Sequence, residues 1–562
     1  MDRLLVARVP RGCRTAVPDA VFPMPALPTS TLNSAQPTGS VLTAGPDFRA
    51  HHEELRRLSQ RWAQSALYAR LWPEGVAVVA PQGSRTHAQL HARANQLSRA
   101  LLGFGLRPGD ALALLCCNRA EFIEVFLAAM RCGLRLTPLN THLTPEEVRY
   151  IVEDCGARVL VVERSLDAPG LASASVTRLV IDAQGESGYQ DALAAHAAED
   201  PAHEVAGTLM LYTSGTTGRP KGVFRREPEI IEPQFGGSFA DYRPGDVALC
   251  CGPAYHSAPL LFDIRWPLAS GVPIVMVEKW DSQEVLSLIQ RHRVTHAHMV
   301  PTMFQRLLAL APEVRAQHDL SSLRFVVHGA APCAVSTKRT MIEWLGPVLT
   351  EYYAATEGGH GIHVDSAQWL LKPGTVGRMD PALGHRILDG TGQDVPVGTV
   401  GCIYFQAPQT GRFEYFGDPA KTAAAYEGDR FTLGDMGYVD EDGFLFLTGR
   451  AAECIISGGV NIYPREVDEV LLRHPAVQDA CTVGAPDEEW GEKVVAVIVP
   501  ARGHAPSPDL AAELMAHANA SLARFKCPRE VVFELELPHT GSGKLQRNLV
   551  RQRFWQGRER SI

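Results

Sequence analysis

The sequence predicts an α/β protein: a large N-terminal domain of mixed, mostly parallel sheets with helices, followed by a small, mobile α+β C-terminal domain. Three observations carry this expectation. Between Thr86 and Trp344 short apolar runs alternate with helical stretches, the rhythm of strand–helix–strand units. Near Asp440-Glu441-Asp442-Gly443 the texture changes, and beyond Arg450 short strands accompany two helices. At 562 residues the chain is also too long for one hydrophobic core.

Taken in order, a helix over 91–102 leads to a strand over 111–115, a helix over 120–131 and a strand near Leu134. Thr144-Pro145-Glu146-Glu147 starts the next helix, with Thr144 as cap, proline at the first helical position and Glu147 closing a capping box. That helix runs to about Cys155, and a buried strand follows over 159–162. Later come strands over 247–251 and 272–277, a helix over 282–293, a strand over 296–300, a helix over 302–310, a strand over 323–327 and a helix over 336–344. The small domain reads as a helix over 465–473, strands over 477–483 and 493–499, a helix over 509–523 and a strand over 531–535. The expected division is 1–48, 49–450 and 451–562. The first part holds Arg3, Arg8, Arg11 and Arg14 with only Asp2 and Asp19 as acids, but prolines interrupt any amphipathic helix. A disordered extension, or a start codon placed too early, is the expectation there.

Acids outnumber bases 62 to 54, and no basic stripe is present, so a nucleic-acid partner is not expected. No apolar run approaches the roughly 20 residues of a membrane span. Twelve cysteines are scattered without a CxxC pair, mostly in apolar surroundings, as in a reducing cytoplasm. Peripheral membrane contact, and either a monomer or a homodimer, are compatible with this composition.

The most informative stretch is LYTSGTTGRPKGV, from Leu211 to Val223. An apolar run ends in Thr213, Ser214, Gly215, Thr216, Thr217 and Gly218, and Lys221 follows. Glycines let backbone N–H groups turn inward, hydroxyls add donors, and a lysine supplies countercharge: the composition of a phosphate cradle. It is not the Walker loop, because Arg219 and Pro220 follow Gly218. The stretch closely resembles the phosphate-binding motif of the adenylate-forming superfamily, which includes acyl-CoA synthetases, stand-alone adenylation domains and luciferases.

Further segments carry the same resemblance across roughly residues 50 to 560. Tyr352-Tyr353-Ala354-Ala355-Thr356-Glu357 resembles the family's Y-G-x-T-E segment, with Ala354 in place of the usual glycine. The resemblance implies Tyr353 near adenine, Thr356 donating to the α-phosphate, and Glu357 (with Thr213) holding Mg²⁺. Tyr352 and Ala354 are grouped with the nucleotide, as is the turn Gly329-Ala330-Ala331-Pro332, which resembles the adenine-flanking turn. Gly434-Asp435 and Gly449-Arg450 match the family's ribose-binding pair. His539-Thr540-Gly541-Ser542-Gly543-Lys544 matches the segment of the catalytic lysine, and Ser457-Gly458-Gly459 implies a loop that admits the pantetheine arm of CoA. Pro253 to Ala258 matches the segment lining the acyl tunnel, where His256 is a candidate to orient the carboxylate. At the junction after Arg450 the family carries Asp or Lys as pivot, whereas this chain has Ala452 with Glu453 beside it. His51-His52-Glu53-Glu54 and His296-x-His298 read as structural rather than metal-ligating.

The chemistry explains such a set. An acid must approach a triphosphate, anion on anion, and two unit charges about 4 Å apart repel by about 4 kcal/mol at an effective dielectric of about 20. Lys221, Mg²⁺ and Lys544 would offset this repulsion. The expected function is an ATP-dependent carboxylic acid–CoA ligase, cytoplasmic, using ATP, Mg²⁺ and CoA on a medium- or long-chain fatty acid or another bulky hydrophobic acid. The alternatives are an aryl or steroid acid–CoA ligase, an enzyme that loads a carrier protein, and an inactive nucleotide-binding regulator.

Overall fold

The structure is a computed structural model that describes residues 42, 45–185, 187–201, 205–213, 220–457, 460–487, 490–540 and 543–556. Of the expected extension, residues 1–41, 43 and 44 lie outside the described residues, as do Ser214, Gly215, Thr216, Thr217, Gly218, Gly458 and Gly459. Its end, in contrast, is ordered structure: Asp47 caps the short helix Phe48–His51, and Phe48 is buried against Tyr68.

Two large sheets build the N-terminal part. One runs Glu414–Tyr415, Lys221–Phe224, Thr208–Thr213, Arg135–Pro138, Ala111–Leu115, Ala157–Glu163 and Thr177–Ile181. Its last five strands are parallel, and the first two are antiparallel additions at one edge. The other runs Gly358–Asp365, Leu349–Ala355, Phe325–His328, His296–Met299, Ala248–Cys250, Ile274–Met276, Val76–Val79 and Arg85–Thr86. It too is parallel inside and antiparallel at both edges.

Between the sheets lies the helix Ala120–Arg131, every residue of which is buried. Phe122, Ile123 and Phe126 share one core with Val78 and Ile274 of one sheet and Leu112 and Leu114 of the other. Each such side chain contributes about 1.5–3 kcal/mol when fully buried. Its internal Glu124 accepts from Arg85 Nε at 2.7 Å, Arg93 Nε at 2.6 Å and the Tyr189 hydroxyl at 2.9 Å. Burial pushes the Glu124 carboxyl up, but those guanidinium groups outweigh it and hold it below the usual range. The neighbouring helices are set by their caps. Thr144 and Glu147 exchange backbone bonds at 3.3 and 2.8 Å around the helix Pro145–Asp154. Thr86 and Gln89 do the same for His87–Gly103. A side-chain cap is worth about 1 kcal/mol.

A third sheet, antiparallel, is formed by Gly377–Arg378, Phe444–Arg450, Arg430–Val439, Gly401–Gln406 and Arg386–Leu388, with Tyr426–Glu427 paired alongside. No strand was expected between 345 and 450. The strand Arg430–Val439 carries Gly434 and Gly437 and is half-exposed for much of its length, so it lacks a clean apolar alternation. The segment from Tyr352 to Gly359, expected to be a loop, is also corrected. Leu349–Ala355 and Gly358–Asp365 form a hairpin, and only Thr356 and Glu357 make the turn.

Beyond the short helical turn Ala451–Glu453, a separate sheet runs Val460–Ile462, Ile455–Ser457, Gly491–Pro500 and Val477–Asp487, with Glu530–Phe533 parallel to Gly491–Pro500. Helices Pro464–Leu471, Pro508–Ser521 and Arg547–Trp555 pack against it. Its core is its own: Ile455, Val467, Leu471, Val494, Ile498 and Leu514 bury against one another.

Candidate active site

The antiparallel edge strands bring distant residues to one place. Thr213 and Lys221 are cross-strand partners at the mouth of the 214–219 segment. Tyr415 pairs with Val223 on the next strand, and its hydroxyl donates to Glu357 Oε1 at 3.0 Å. Arg225, also on this side, donates from Nη2 to the Glu357 carbonyl at 2.6 Å. The turn that carries Thr356 and Glu357 is thus held from beneath by a tyrosine and an arginine. The Thr356 hydroxyl in turn shares a hydrogen bond of 3.2 Å with the Ser257 hydroxyl.

Three residues before Thr356, the Tyr353 hydroxyl donates to Asp435 Oδ2 at 2.7 Å. Arg450 Nε donates to Asp435 Oδ1 at 3.1 Å, from directly across the ladder. Burial, then the Asp435 carboxylate, push the Tyr353 phenol well above its usual range, so it stays a donor. Ala354 sits at a register shift of the hairpin, where the small side chain is accommodated without a left-handed backbone. The turn at Gly329 presses on this strand. A Cβ there would lie 2.6 Å from the Tyr352 ring and from its carbonyl oxygen, so only glycine fits. Ala330 follows at φ 65°, a left-handed conformation that costs a non-glycine residue about 1 kcal/mol, and Ala331 completes the turn.

Tyr352 does not join this group. Side chains alternate along a strand, so it points to the opposite face from Tyr353. There its hydroxyl is 3.3 Å from His298 Nε2 and its ring packs on Phe262 at 4.9 Å. Of the two tyrosines expected together, the structure brings only Tyr353 to Asp435 and Arg450.

Lys544 comes from the small domain. Its backbone N–H donates to Thr540 Oγ1 at 3.0 Å, forming a tight turn whose Gly543 has φ 77°. A Cβ on Gly543 would sit 2.3 Å from the Thr302 hydroxyl of the large domain, so the two domains meet here. The Lys544 side chain keeps contact with water, yet protein atoms crowd it. That crowding, and then Arg450, hold its ammonium below the ordinary lysine range, while Asp435, Glu453 and Glu357 pull the other way. Lys544 thus lies within electrostatic reach of the Asp435, Glu453 and Glu357 carboxylates.

His256 precedes the Ser257 turn, its ring beside Tyr255 and its Nε2 without a partner among the described residues. Burial, then nearby His142, lower its pKa to about 4, so it is neutral at pH 7. Ser457 closes the strand Ile455–Ser457 opposite Val460 and Gly491, within the small domain's own sheet, and makes none of the contacts above. At the junction, Glu453 accepts from Arg547 Nε at 3.2 Å, and Ala452 is exposed. Sequence reasoning missed Tyr415 and Thr302, and it noticed Arg225 only as part of the unusual run Phe224-Arg225-Arg226-Glu227, without its contact to the Glu357 turn. Nothing in the local sequence marks these contacts, because the partners lie 58, 132 and 241 positions away from Tyr415, Arg225 and Thr302.

The family model described as AMP-binding enzyme matches residues 66–413, and that of the AMP-binding enzyme C-terminal domain matches residues 466–544. The fatty acid–[acyl-carrier-protein] ligase ScoC of Streptomyces coeruleorubidus is 32% identical over 530 residues, covering 92% of this chain and 99% of that protein. This chain belongs to the adenylate-forming superfamily, of the acyl-CoA synthetase type. A second relative of this adenylate-forming enzyme, the feruloyl-CoA synthase of an Amycolatopsis species, is 33% identical over 499 residues, covering 86% of this chain and 97% of that one. Among solved structures, the anthranilate CoA ligase AuaEII in complex with anthranoyl-AMP superimposes with a TM-score of 0.77 at 27% identity, covering 87% of this chain and 96% of that one. As an adenylate-forming enzyme the chain is an acid–thiol ligase, and no helix among its described residues is long and apolar enough to cross a membrane.

Proposed function

We propose that this protein is an ATP-dependent carboxylic acid–CoA ligase that first joins the acid to ATP as an acyl-adenylate, releasing pyrophosphate, and then passes the acyl group to the CoA thiol. The observation that supports it most is the seating of the Lys544 turn of the small domain against Thr302 of the large one, within electrostatic reach of Asp435 and Glu357. In this reading residues 49–450 bind ATP and residues 451–562 act as a movable lid.

Asp435 retains a free lone pair on each oxygen after its bonds to Tyr353 and Arg450, enough to accept from two vicinal ribose hydroxyls. Gly329, Ala330 and Ala331 flank the adenine with Tyr353. Thr213, Lys221 and the intervening loop cradle the phosphates, and Thr356 donates to the α-phosphate. Glu357 would hold Mg²⁺, which neutralises phosphate charge when bound. A hard cation needs only one or two carboxylates alongside substrate phosphates, and the Tyr415 bond orients this one. Lys544 then guides the acid oxygen to the α-phosphorus and stabilises the charge that develops there, so catalysis is positioning and electrostatics. After adenylation the lid would turn about residues 450–453 and bring the 457–459 loop toward the pantetheine arm. Neutral His256, beside Ser257, would orient the acid.

Acid-dependent exchange of labelled pyrophosphate into ATP tests the first step, and its absence with every acid of a broad panel would leave only an inactive nucleotide-binding protein. The name of ScoC, with its carrier-protein acceptor, favours one further reading: transfer to a holo-carrier in place of CoA. Offering each acceptor to the preformed adenylate separates the two.

A further inference from the structure

The segment that begins beside Thr356 runs on as one helical rod: Ser257–Pro259, a widened π stretch Leu260–Arg265, then Trp266–Ser270. Widened turns of this kind concentrate at functional sites. The rod lays Phe262 and Asp263 against the face of the sheet that carries His296, His298, Phe325 and Tyr352. That face is aromatic. The Phe262 ring stacks on His298 at 5.5 Å with an interplanar angle of 18°, meets Tyr352 at 4.9 Å, and sits edge-on to Trp266 at 4.8 Å.

Two polar side chains with spare hydrogen-bonding capacity are sealed into this wall. Asp263 is 2% exposed; its Oδ1 accepts from the His298 backbone N–H at 2.9 Å, and its Oδ2 has no partner among the described residues. His298 is 1% exposed; its Nε2 faces the Tyr352 hydroxyl, and its Nδ1 has no partner among the described residues. Leaving a buried polar atom unpaired costs about 1–3 kcal/mol, and an apolar core of the same shape would avoid the cost. Burial pushes the Asp263 carboxyl well above its usual range and lowers His298 to about 3. His298 is therefore neutral, and the two side chains together leave an Oδ2 and an Nδ1 able to bond a polar group. A small cavity beside Asp263, walled by Phe262, Trp266, His296 and Phe325, has room for about one water, the size of a hydroxyl group.

Resting on the ligase reading, we propose that Asp263 and His298 recognise a polar substituent on the ring of an aromatic carboxylic acid, the ring lying against Phe262 and Tyr352. The substrate class is then hydroxy- or amino-substituted aromatic acids, selected from the bulky hydrophobic acids as a whole. A site built to bond a hydroxyl leaves its own groups unpaired when an analogue lacks it, and so discriminates strongly.

The test compares kcat/KM for pyrophosphate exchange with 4-hydroxycinnamate, cinnamate and decanoate. The wild-type enzyme is expected to favour 4-hydroxycinnamate over cinnamate by about 10- to 100-fold and over decanoate by more. In Asp263→Leu the hydroxycinnamate-to-cinnamate ratio should fall toward one, and His298→Phe should reproduce that fall should the first variant fold poorly. A wild-type ratio near one, a preference for decanoate, or a ratio unmoved in either folded variant would overturn the proposal and leave Asp263 a structural acid served by a bound water. Exchange with none of the three acids, nor with any in a broader panel, would instead remove the ligase reading and this proposal with it.

Discussion

Asp435 is clamped from both sides: Tyr353 donates to one of its oxygens at 2.7 Å and Arg450 to the other at 3.1 Å. The residue assigned to adenine and the residue assigned to ribose are therefore a single unit before any nucleotide arrives. Asp435→Ala should raise KM for ATP about 10- to 100-fold, since bonds to a charged group are worth about 1.5–3 kcal/mol. Tyr353→Phe keeps the ring and should raise it by about tenfold or less. The ATP dependence of pyrophosphate exchange measures both. An unchanged KM in Asp435→Ala would place the ribose elsewhere.

Lys544→Ala is expected to cut acyl-adenylate formation by about 10²–10³-fold, the scale of losing one stabilising group at a developing charge. Thioester formation from supplied acyl-adenylate should survive, because the lysine serves only the first step. Equal loss in both half-reactions would refute that division of labour.

The same lysine sets an alkaline limit. Its pKa lies below the ordinary 10.5, chiefly through crowding. The ammonium is present below that pKa and is lost as pH rises through it. Adenylation kcat/KM should thus decline on the alkaline side at a lower pH than a free lysine would give, and Lys544→Arg should move the limb to higher pH. His256, lowered to about 4, is already neutral above pH 5 and should contribute no limb near 6.5.

Tyr415→Phe removes the hydroxyl that orients Glu357. An outer partner of a metal ligand is worth about 10- to 100-fold in metal affinity. A magnesium titration of the adenylation rate should shift to higher concentration accordingly, with KM for the acid little changed.

Stability should fall in mild acid. His87 and His296 are lowered to about 4 and His298 to about 3, each from 6.5, all mainly by burial. Between about pH 6.5 and 4 the unfolded chain binds protons there that the folded chain refuses, so stability drops as pH falls through that window. Asp263, Glu351, Asp468 and Asp479, raised by burial, work in the opposite direction. They are four against the eight described histidines that burial lowers: His87, His91, His256, His292, His296, His298, His328 and His363. Denaturant midpoints at pH 7 and pH 5 check this, and His87→Gln should flatten the difference.

Much of the architecture was legible because the signal was local. The strand Ala111–Leu115 and the helix Ala120–Arg131 match their expected limits to the residue, and the Thr144 capping box is present. The sheet between 377 and 450 was not legible, since its strands are short or glycine-bearing and lack a clean apolar alternation. The two tyrosines show where reading a site by motif runs out. Adjacent in sequence, they look equivalent until a strand is known to pass through both, and the two-residue period then sends them to different neighbours. Tyr415 and Arg225 reach the Glu357 turn only because edge strands far apart in sequence pair beside one another, which no single window of residues records.

The helix Ala120–Arg131, dry on every side, acts as a spindle to which both large sheets are fastened. Sheets pinned to one spindle resist slipping past each other, so the frame that carries the site holds its shape. Selectivity in such an enzyme is cast in the side chains of the wall, and broadening it would call for recarving rings such as Phe262, not for loosening the frame.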